Sequence, residues 1–215
     1  TLNRGLFPTA GQSRSLAFQV TVPGSSLTYA RVTYRHRYYR PIFQGNIILG
    51  LRGEIGALEA YGDTEIPPFF EHFYSGGISS VRGFKQNTLG PRATPSLYYL
   101  DNEGNPVLDE SGNPVFNPYA YRDDRSLGGA YLIEGGLDLI FKLPFLEDQR
   151  SVRTSFFVDV GNVFAKDCGD TSININCSEL DMGELRYSYG VGVTWITQLG
   201  PMSLAIAAPS NQGPL

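Results

Sequence analysis

One arginine stands out in the sequence because it lies in a segment dense in aromatic residues and glycines. Residues 66–77 read IPPFFEHFYSGG, and residues 81–84, which contain Arg82, read VRGF. A guanidinium group can bind carboxylates at two places and stays charged when it is removed from water. This composition favours a packed segment over a solvated one, and the alternative for Arg82 is an ordinary solvated loop arginine.

Residues that could catalyse a reaction are sparse. A serine hydrolase needs a serine, a histidine and an acid within mutual reach. The sequence has no Gly-x-Ser-x-Gly motif, and its two histidines, His36 and His72, fall in an alternating segment and in a long loop. Zinc would need two suitable ligands beside Cys168 and Cys177, and the sequence offers none nearby. We therefore predict no enzyme activity, no catalytic residue, no cofactor and no metal site.

A tandem repeat of eight residues occupies positions 101–116, where DNEGNPVL is followed by DESGNPVF. Each copy contains Gly-Asn-Pro, which is typical of turns. The carboxylates raise the alternative of a calcium-binding loop, but their spacing does not fit one. We predict a solvated external hairpin.

The composition of the chain narrows its class. The 215 residues carry a formal net charge of −4. No apolar run approaches the ~20 residues of a membrane helix, and no basic run or stripe indicates a nucleic-acid partner. Helical membrane proteins, coiled coils and disordered tails are excluded. With 25 Gly, 13 Tyr and 13 Phe, the composition suits β-strands and leaves the membrane β-barrel open.

Apolar residues alternate with small or polar residues over seven segments, which is the periodicity of β-strands. The predicted strands are 15–23, 29–40, 47–60, 129–145, 152–164, 185–196 and 202–208. One face of each strand is apolar, and charged residues such as Asp138 and Asp159 fall on the other face. Glu59 and Arg40 are exceptions near strand ends, and His36 is the one titratable residue in the middle of an apolar face.

Two folds have one apolar and one polar strand face. In a soluble β-sandwich the apolar face is the core, but several of these strands have twelve or more residues, which is long for soluble sheets. About nine to eleven tilted residues cross a bilayer. The polar face combines glycines with charges of both signs, as barrel interiors do. We therefore predict an all-β fold, an antiparallel transmembrane β-barrel portion of about seven strands, in preference to the sandwich.

The connections between strands alternate in length. The short ones are 40–46, 144–150 and 197–201, and the long ones are 61–127 and 165–184. Only 23–28 is short where a long connection is allowed. Outer-membrane barrels have short periplasmic turns and long external loops. Residues 1–14 are therefore predicted to be periplasmic, and the loop at about 62–128 is predicted to be external.

The two cysteines, Cys168 and Cys177, fall in the second long connection. By the parity of the connections this loop is on the external, oxidising side. Disulfides persist in such compartments, so a disulfide between the two cysteines is predicted.

Several blocks of the sequence resemble the BamA family of outer-membrane assembly factors, within a superfamily that also includes two-partner-secretion translocators. The strongest blocks are FYSGG at 73–77, VRGF at 81–84 and NTLGP at 87–91. Further similar blocks are LNRGLFPT at 2–9, TVPGS at 21–25, VRTSFFVDVG at 152–161 and LGP at 199–201. The blocks extend over nearly the whole chain. The resemblance implies that residues 1–215 are the C-terminal part of a sixteen-stranded barrel.

The resemblance also implies partners for the arginine. In that family the sixth external loop folds back into the barrel lumen, where its arginine pairs with acidic residues on lumen-facing strands. Carried over by position, Arg82 would contact Asp159 and Asp138. The family commonly has glutamate at the position of Asp138, so Glu134, four residues earlier on the same face, is an alternative partner. The loop motif comprises Val81, Arg82, Gly83 and Phe84.

The implied function involves no covalent chemistry. It is the folding and insertion of β-barrel proteins into the outer membrane of a Gram-negative bacterium. The implied partners are the outer-membrane lipid bilayer, client β-barrel proteins and the accessory lipoproteins of the assembly machine. A related two-partner-secretion or TamA-like translocator and a passive outer-membrane pore are alternatives. A simple pore does not need an inserted arginine loop, which favours the assembly factor.

Overall fold

Seven strands form a single antiparallel sheet in the part of the chain that the structure describes. The computed structural model describes residues 1–22, 24–92, 98–101, 105–117, 126–141, 143, 151–168, 177–198 and 200–211. The strands are β1 (Gly11–Val20), β2 (Tyr29–Ile42), β3 (Ile47–Ala60), β4 (Tyr131–Phe141), β5 (Val152–Phe164), β6 (Arg186–Thr197) and β7 (Gly200–Ser210). Each strand pairs with the next strand of the sequence. The predicted all-β, antiparallel fold of seven strands is confirmed.

Helical structure is limited, within the described residues, to short 3₁₀ turns. They are Phe43–Gly45, Phe69–Glu71 and Met182–Glu184. In that part of the chain, no helix has the length and apolar character needed to cross a membrane. The strands have ten to fourteen residues, which is longer than the usual five or six.

The sheet is open, and its longest connection returns to the neighbouring strand. Among the described residues, β1 pairs only with β2, and β7 pairs only with β6. The chain leaves β3 at Ala60 and re-enters the sheet in β4 at Tyr131, where Ala57 pairs with Tyr131. Residues 61–130 therefore begin and end at the same end of adjacent strands. The short turns between β2 and β3 and between β6 and β7 lie at the opposite end, which is the predicted periplasmic end.

Several strand boundaries differ from the prediction, and two of the differences are four residues long. Residues 11–14, which were expected in the periplasmic stretch, belong to β1, because Gly11 pairs with Tyr39 and Arg14 pairs with His36. Strand pairing is made by the backbone, so polar side chains did not reveal it. At the other difference, β4 ends at Phe141, and the C-terminal part of its predicted range, apart from residue 143, lies outside the described residues.

The two faces of the sheet have different surroundings. The outer face carries the alternating apolar residues and is exposed, with 69% of Phe18 and 72% of Ile206 accessible. The inner face carries Asp138 and Asp159 and is covered by the connection between β3 and β4. Large apolar side chains are thus exposed on the face that points away from the covering segment, which is the arrangement expected of a sheet whose outer face meets lipid.

The buried apolar cluster lies on the inner face rather than on the apolar outer face. It contains Tyr29 of β2, Leu58 of β3, Leu132 of β4 and Val163 of β5, together with Phe73 of the connection. These strand residues lie near the end of the sheet where the connection leaves and returns. The inner face is therefore polar along its middle and apolar at this end, because here it packs against protein. The strict alternation in the sequence did not predict this change.

Candidate functional site

The Arg82 side chain lies against the carboxylate of Asp159 on β5. Its Nε donates to Oδ2 at 2.6 Å and its Nη2 donates to Oδ1 at 2.8 Å, so the two groups form a bidentate pair. The backbone N–H of Arg82 donates to the same Oδ2 at 3.1 Å. The Asp159 side chain is completely buried. Both the side chain and the backbone N–H of Arg82 thus bind the Asp159 carboxylate.

Two further groups surround the Arg82 guanidinium. Its Nη1 lies 3.0 Å from Oδ1 of Asp138 on β4. Its Cζ atom lies 3.6 Å from the ring centroid of Phe157 on β5, which is a cation–π contact. Phe157 was missed in the sequence because it is an apolar residue on the charged face. Its odd position, two residues before Asp159, is the signal that would have placed it beside the carboxylate.

The charge of Arg82 is stabilised where it lies. Burial alone lowers the pKa of the Arg82 guanidinium, but the hydrogen bond and charge of Asp159 and the charge of Asp138 outweigh burial and raise that pKa above its ordinary value. The site therefore holds a permanent cation between two carboxylates and an aromatic ring.

A second arginine shares the Asp159 carboxylate. Nη2 of Arg52 on β3 lies 2.7 Å from Oδ1 of Asp159. The Arg52 guanidinium also donates to the carbonyl oxygen of Ser79 at 3.2 Å and to that of Ser80 at 2.5 Å. Arg52 therefore links the sheet to the turn before the motif. The sequence placed Arg52 on the charged face but gave it no partner.

Glu134, the alternative partner for Arg82, lies elsewhere in the site. Among the contacts of the described residues, Glu134 accepts a hydrogen bond from Oγ of Ser80 and has none with Arg82. Ser80 Oγ in turn accepts from the backbone N–H of Gly76 at 3.0 Å. Glu134 is four residues from Asp138, or about 13 Å along the strand, so the two carboxylates meet different parts of the connection.

The other residues of the motif pack against small residues of the sheet. Val81 is fully buried, and a Cβ atom at Gly161 would lie 2.9 Å from its Cγ2. Gly83 has a φ of +93°, and a Cβ atom there would lie 3.0 Å from Cβ of Ala207 on β7. A larger residue at position 83 would be strained and would push the motif off the sheet. Phe84 is half-buried.

The first part of the connection makes a separate contact with the sheet. The Cζ atom of Arg31 on β2 lies 4.3 Å from the ring centroid of Phe73, and Nη1 of Arg31 lies 3.7 Å from Oε2 of Glu71. Tyr29 donates its hydroxyl to Oε1 of Glu71 at 3.0 Å. The Phe73 ring is seated over Gly56, where a Cβ atom would lie 2.5 Å from Cζ of the ring. Sequence reasoning did not identify this contact.

The predicted disulfide is confirmed. Cys168 and Cys177 are bonded, with their Cα atoms 5.7 Å apart. The bond joins the end of β5 to the segment before β6, and residues 169–176 between the cysteines lie outside the described residues.

The two copies of the tandem repeat make the same contact between an aspartate and an asparagine four residues later. The backbone N–H of Asn105 donates to Oδ1 of Asp101, and that of Asn113 donates to Oδ1 of Asp109, each at 2.9 Å. The backbone hydrogen bond from Asn113 is the main cause of a lowered pKa of Asp109. Among the described residues, no group of three or more His, Cys, Asp or Glu side chains is placed to hold a metal ion. The aspartates of the repeat instead close its turns.

Comparisons with known proteins identify the family of the chain. The chain matches the family model described as the Omp85 superfamily domain over residues 1–214. It is 33% identical, over 223 aligned residues, to the outer membrane protein assembly factor BamA of Neisseria meningitidis serogroup B. That match covers 97% of this chain and 25% of the relative. The chain therefore spans about a quarter of the length of this relative.

A solved structure is similar over almost the same range. It is the crystal structure of BamA from Haemophilus ducreyi lacking POTRA domains 1-3, with a TM-score of 0.78 and 30% sequence identity. The match covers 97% of this chain and 37% of that chain. The chain thus corresponds to little more than a third of the chain in the similar structure.

Proposed function

The chain belongs to the Omp85 superfamily, and from this premise we propose that it is part of an outer-membrane protein assembly factor that folds and inserts β-barrel proteins. The chain is an outer-membrane β-barrel segment of a Gram-negative bacterium. Within that segment, we assign residues 62–128 to a loop that enters the lumen. The observation that carries the proposal is the contact of Arg82 with Asp159 and Asp138.

In the proposed mechanism, Arg82 is a fastener and performs no chemistry. It holds the loop against the inner wall through the Asp159 carboxylate, while Arg52 holds the preceding turn. A loop fixed in this way keeps the strands of the wall in register beside the site where a client strand is added. Client strands would pair with an exposed strand edge, because unpaired backbone groups in lipid are costly.

The proposed partners follow from this role. They are the lipid bilayer of the outer membrane, client β-barrel proteins and the accessory lipoproteins of the assembly machine. A two-partner-secretion or TamA-like translocator is the second candidate function, because such proteins share the arginine motif. A passive pore is the third, because the inner face carries charges of both signs, such as the pair of Arg35 and Glu54 at 2.7 Å.

The test is client insertion by the full-length protein reconstituted with its machine in vesicles. Arg82→Ala is expected to lower the rate of client folding about tenfold. A tenfold change lies within the range that is typical when two linked sites are uncoupled. Arg37→Ala, which removes one positive charge from the inner face of β2, is the matched control and is expected to insert clients normally. Normal insertion by Arg82→Ala would refute the fastening role. A change in ion conductance with unchanged insertion would favour the pore.

A further inference from the structure

Five polar side chains interrupt the outer face near the predicted periplasmic ends of β1 and β2. Gln12 and Arg14 of β1 pair with Tyr38 and His36 of β2, and Arg40 lies two residues beyond Tyr38 on the same face. Side chains at alternate positions of a strand share one face. We call Gln12, Arg14, His36, Tyr38 and Arg40 the outer polar patch.

The outer polar patch is positively charged. Arg14 and Arg40 are both exposed, and Arg14 donates to Oε1 of Gln12 at 3.1 Å. The residues of β1 and β2 that point to the outer face include no aspartate or glutamate. Neither guanidinium group therefore has an opposite charge on the outer face of β1 or β2.

His36 is the third titratable group of the patch. Nε2 of His36 is buried and has no hydrogen-bond partner among the described residues. Its ring lies 6.3 Å from that of Tyr34, which begins the apolar part of the same face. Hydrocarbon supplies no hydrogen-bond partner to a polar atom. A headgroup that displaced the side chains covering this nitrogen would give it a hydrogen-bond partner.

The patch does not continue from β2 onto β3. On β3 the residues that pair with Arg40 and Tyr38 are Leu49 and Leu51, which are apolar. On β1 the apolar stripe begins only at Leu16. The apolar belt of the outer face is thus shorter on the first two strands than on the third at the periplasmic end.

Lipid headgroups can reach the patch. Arg14 is three residues from the start of β1 at Gly11, or about 10 Å along the strand. A long arginine side chain extends its charged end toward the membrane surface while its methylene groups remain in apolar surroundings. The shortened apolar belt would let the bilayer thin locally beside β1 and β2.

We propose that the outer polar patch binds the phosphate headgroup of an anionic phospholipid in the periplasmic leaflet. Arg14 and Arg40 supply the charge that a phosphodiester requires, and guanidinium groups bind phosphate oxygens with charge-assisted hydrogen bonds. Tyr38 and His36 add polar groups between them. The site is independent of the loop contact at Arg82, because it lies on the opposite face of the sheet.

The test measures lipid binding by the full-length protein, delipidated in detergent and titrated with dioleoyl phosphatidylglycerol or dioleoyl phosphatidylcholine. Native mass spectrometry counts the bound lipids. Wild-type protein is expected to bind phosphatidylglycerol more tightly, and the double variant Arg14→Gln, Arg40→Gln is expected to lose about tenfold in affinity for it. Arg37→Gln on the inner face of β2 removes the same type of charge and is the matched control, with affinity unchanged.

Any one of four outcomes would overturn the proposal. Equal affinity of wild-type protein for the two lipids would show that charge is not recognised. An equal loss in Arg37→Gln would show a general effect of net charge. Preferential binding of lipid A over phosphatidylglycerol, lost in the double variant, would place the ligand in the other leaflet. If the double variant misfolds, the His36→Gln variant measures the same selectivity with both arginines retained, and wild-type affinity for phosphatidylglycerol would then count against the site.

Discussion

Two of the contacts between the long connection and the inner face use the same pair of chemical groups in opposite directions. In the first, Arg82 of the connection lies over Phe157 of the sheet. In the second, Phe73 of the connection lies against Arg31 of the sheet. The first leaves 12% of the Arg82 side chain exposed, whereas the second leaves 31% of Arg31 and 21% of Glu71 exposed.

The difference in exposure between the two contacts indicates which interaction stabilises each part of the connection. At the first contact, the bidentate pair of Arg82 and Asp159 supplies the attraction in a dry site, where unpaired charge is costly. At the second contact, the ion pair is long and half-exposed, and such pairs contribute little. The second contact is stabilised instead by the buried Phe73 ring, which packs over Gly56. The first contact depends on charge and the second on shape.

The largest expected effect breaks the charged contact. Asp159→Asn would remove the carboxylate that Arg82 and Arg52 share and leave only Asp138 paired with Arg82, at a cost of about 3–5 kcal/mol. The loop should then detach, and amide hydrogen exchange of residues 75–90 in the full-length protein should approach that of an open loop. Asp63→Asn, an exposed change in the same connection, is the control. Unchanged protection in Asp159→Asn would show that charge does not hold this contact.

The next effect breaks the apolar contact. Phe73→Ala removes a buried ring and is expected to cost about 3 kcal/mol, while Phe73→Leu, which keeps apolar volume, is expected to cost less than about 1.5 kcal/mol. Exchange should increase around residues 69–74 first, with residues 81–84 still protected. Simultaneous loss of both regions would mean that the two contacts are a single cooperative unit.

The smallest expected effect comes from replacing each arginine, Arg82 or Arg31, by lysine. These two variants compare the charged contact with the apolar contact directly. Arg82→Lys loses the bidentate geometry and is expected to cost about 2 kcal/mol. Arg31→Lys keeps the charge beside Phe73 and Glu71 and is expected to cost about 0.5 kcal/mol. Urea unfolding of the protein in vesicles compares the two. Equal costs would contradict the distinction between a charged and an apolar contact.

The candidate site was only partly accessible to sequence reasoning. The period of two placed Asp138 and Asp159 on one face because alternation is a local property of a strand. The contacts of Phe157 and Arg31 were missed because alternation gives the face on which a residue lies but not the segment that covers it. Their roles arise only when the connection covers them.

Sequence reasoning also identified the outer polar patch only in part. Alternation in the sequence identified His36 and Arg40 as exceptions on the apolar face, but Arg14 was placed outside the first strand. The backbone pairing of Arg14 with His36 brought these side chains together. A patch across two strands needs a register, and the register is fixed by backbone hydrogen bonds along the whole strand.

The sequence by itself determined the strand class, the two faces of each strand and the pairing of Cys168 with Cys177, because these depend on neighbouring residues and on the side of the membrane. The tertiary structure decided that Asp159 lies beside Arg82, 77 residues away in the chain, while Glu134 meets Ser80. The physical reason is that the path of the connection is set by packing at Phe73 and Val81 over small residues of distant strands, and no local pattern contains that information.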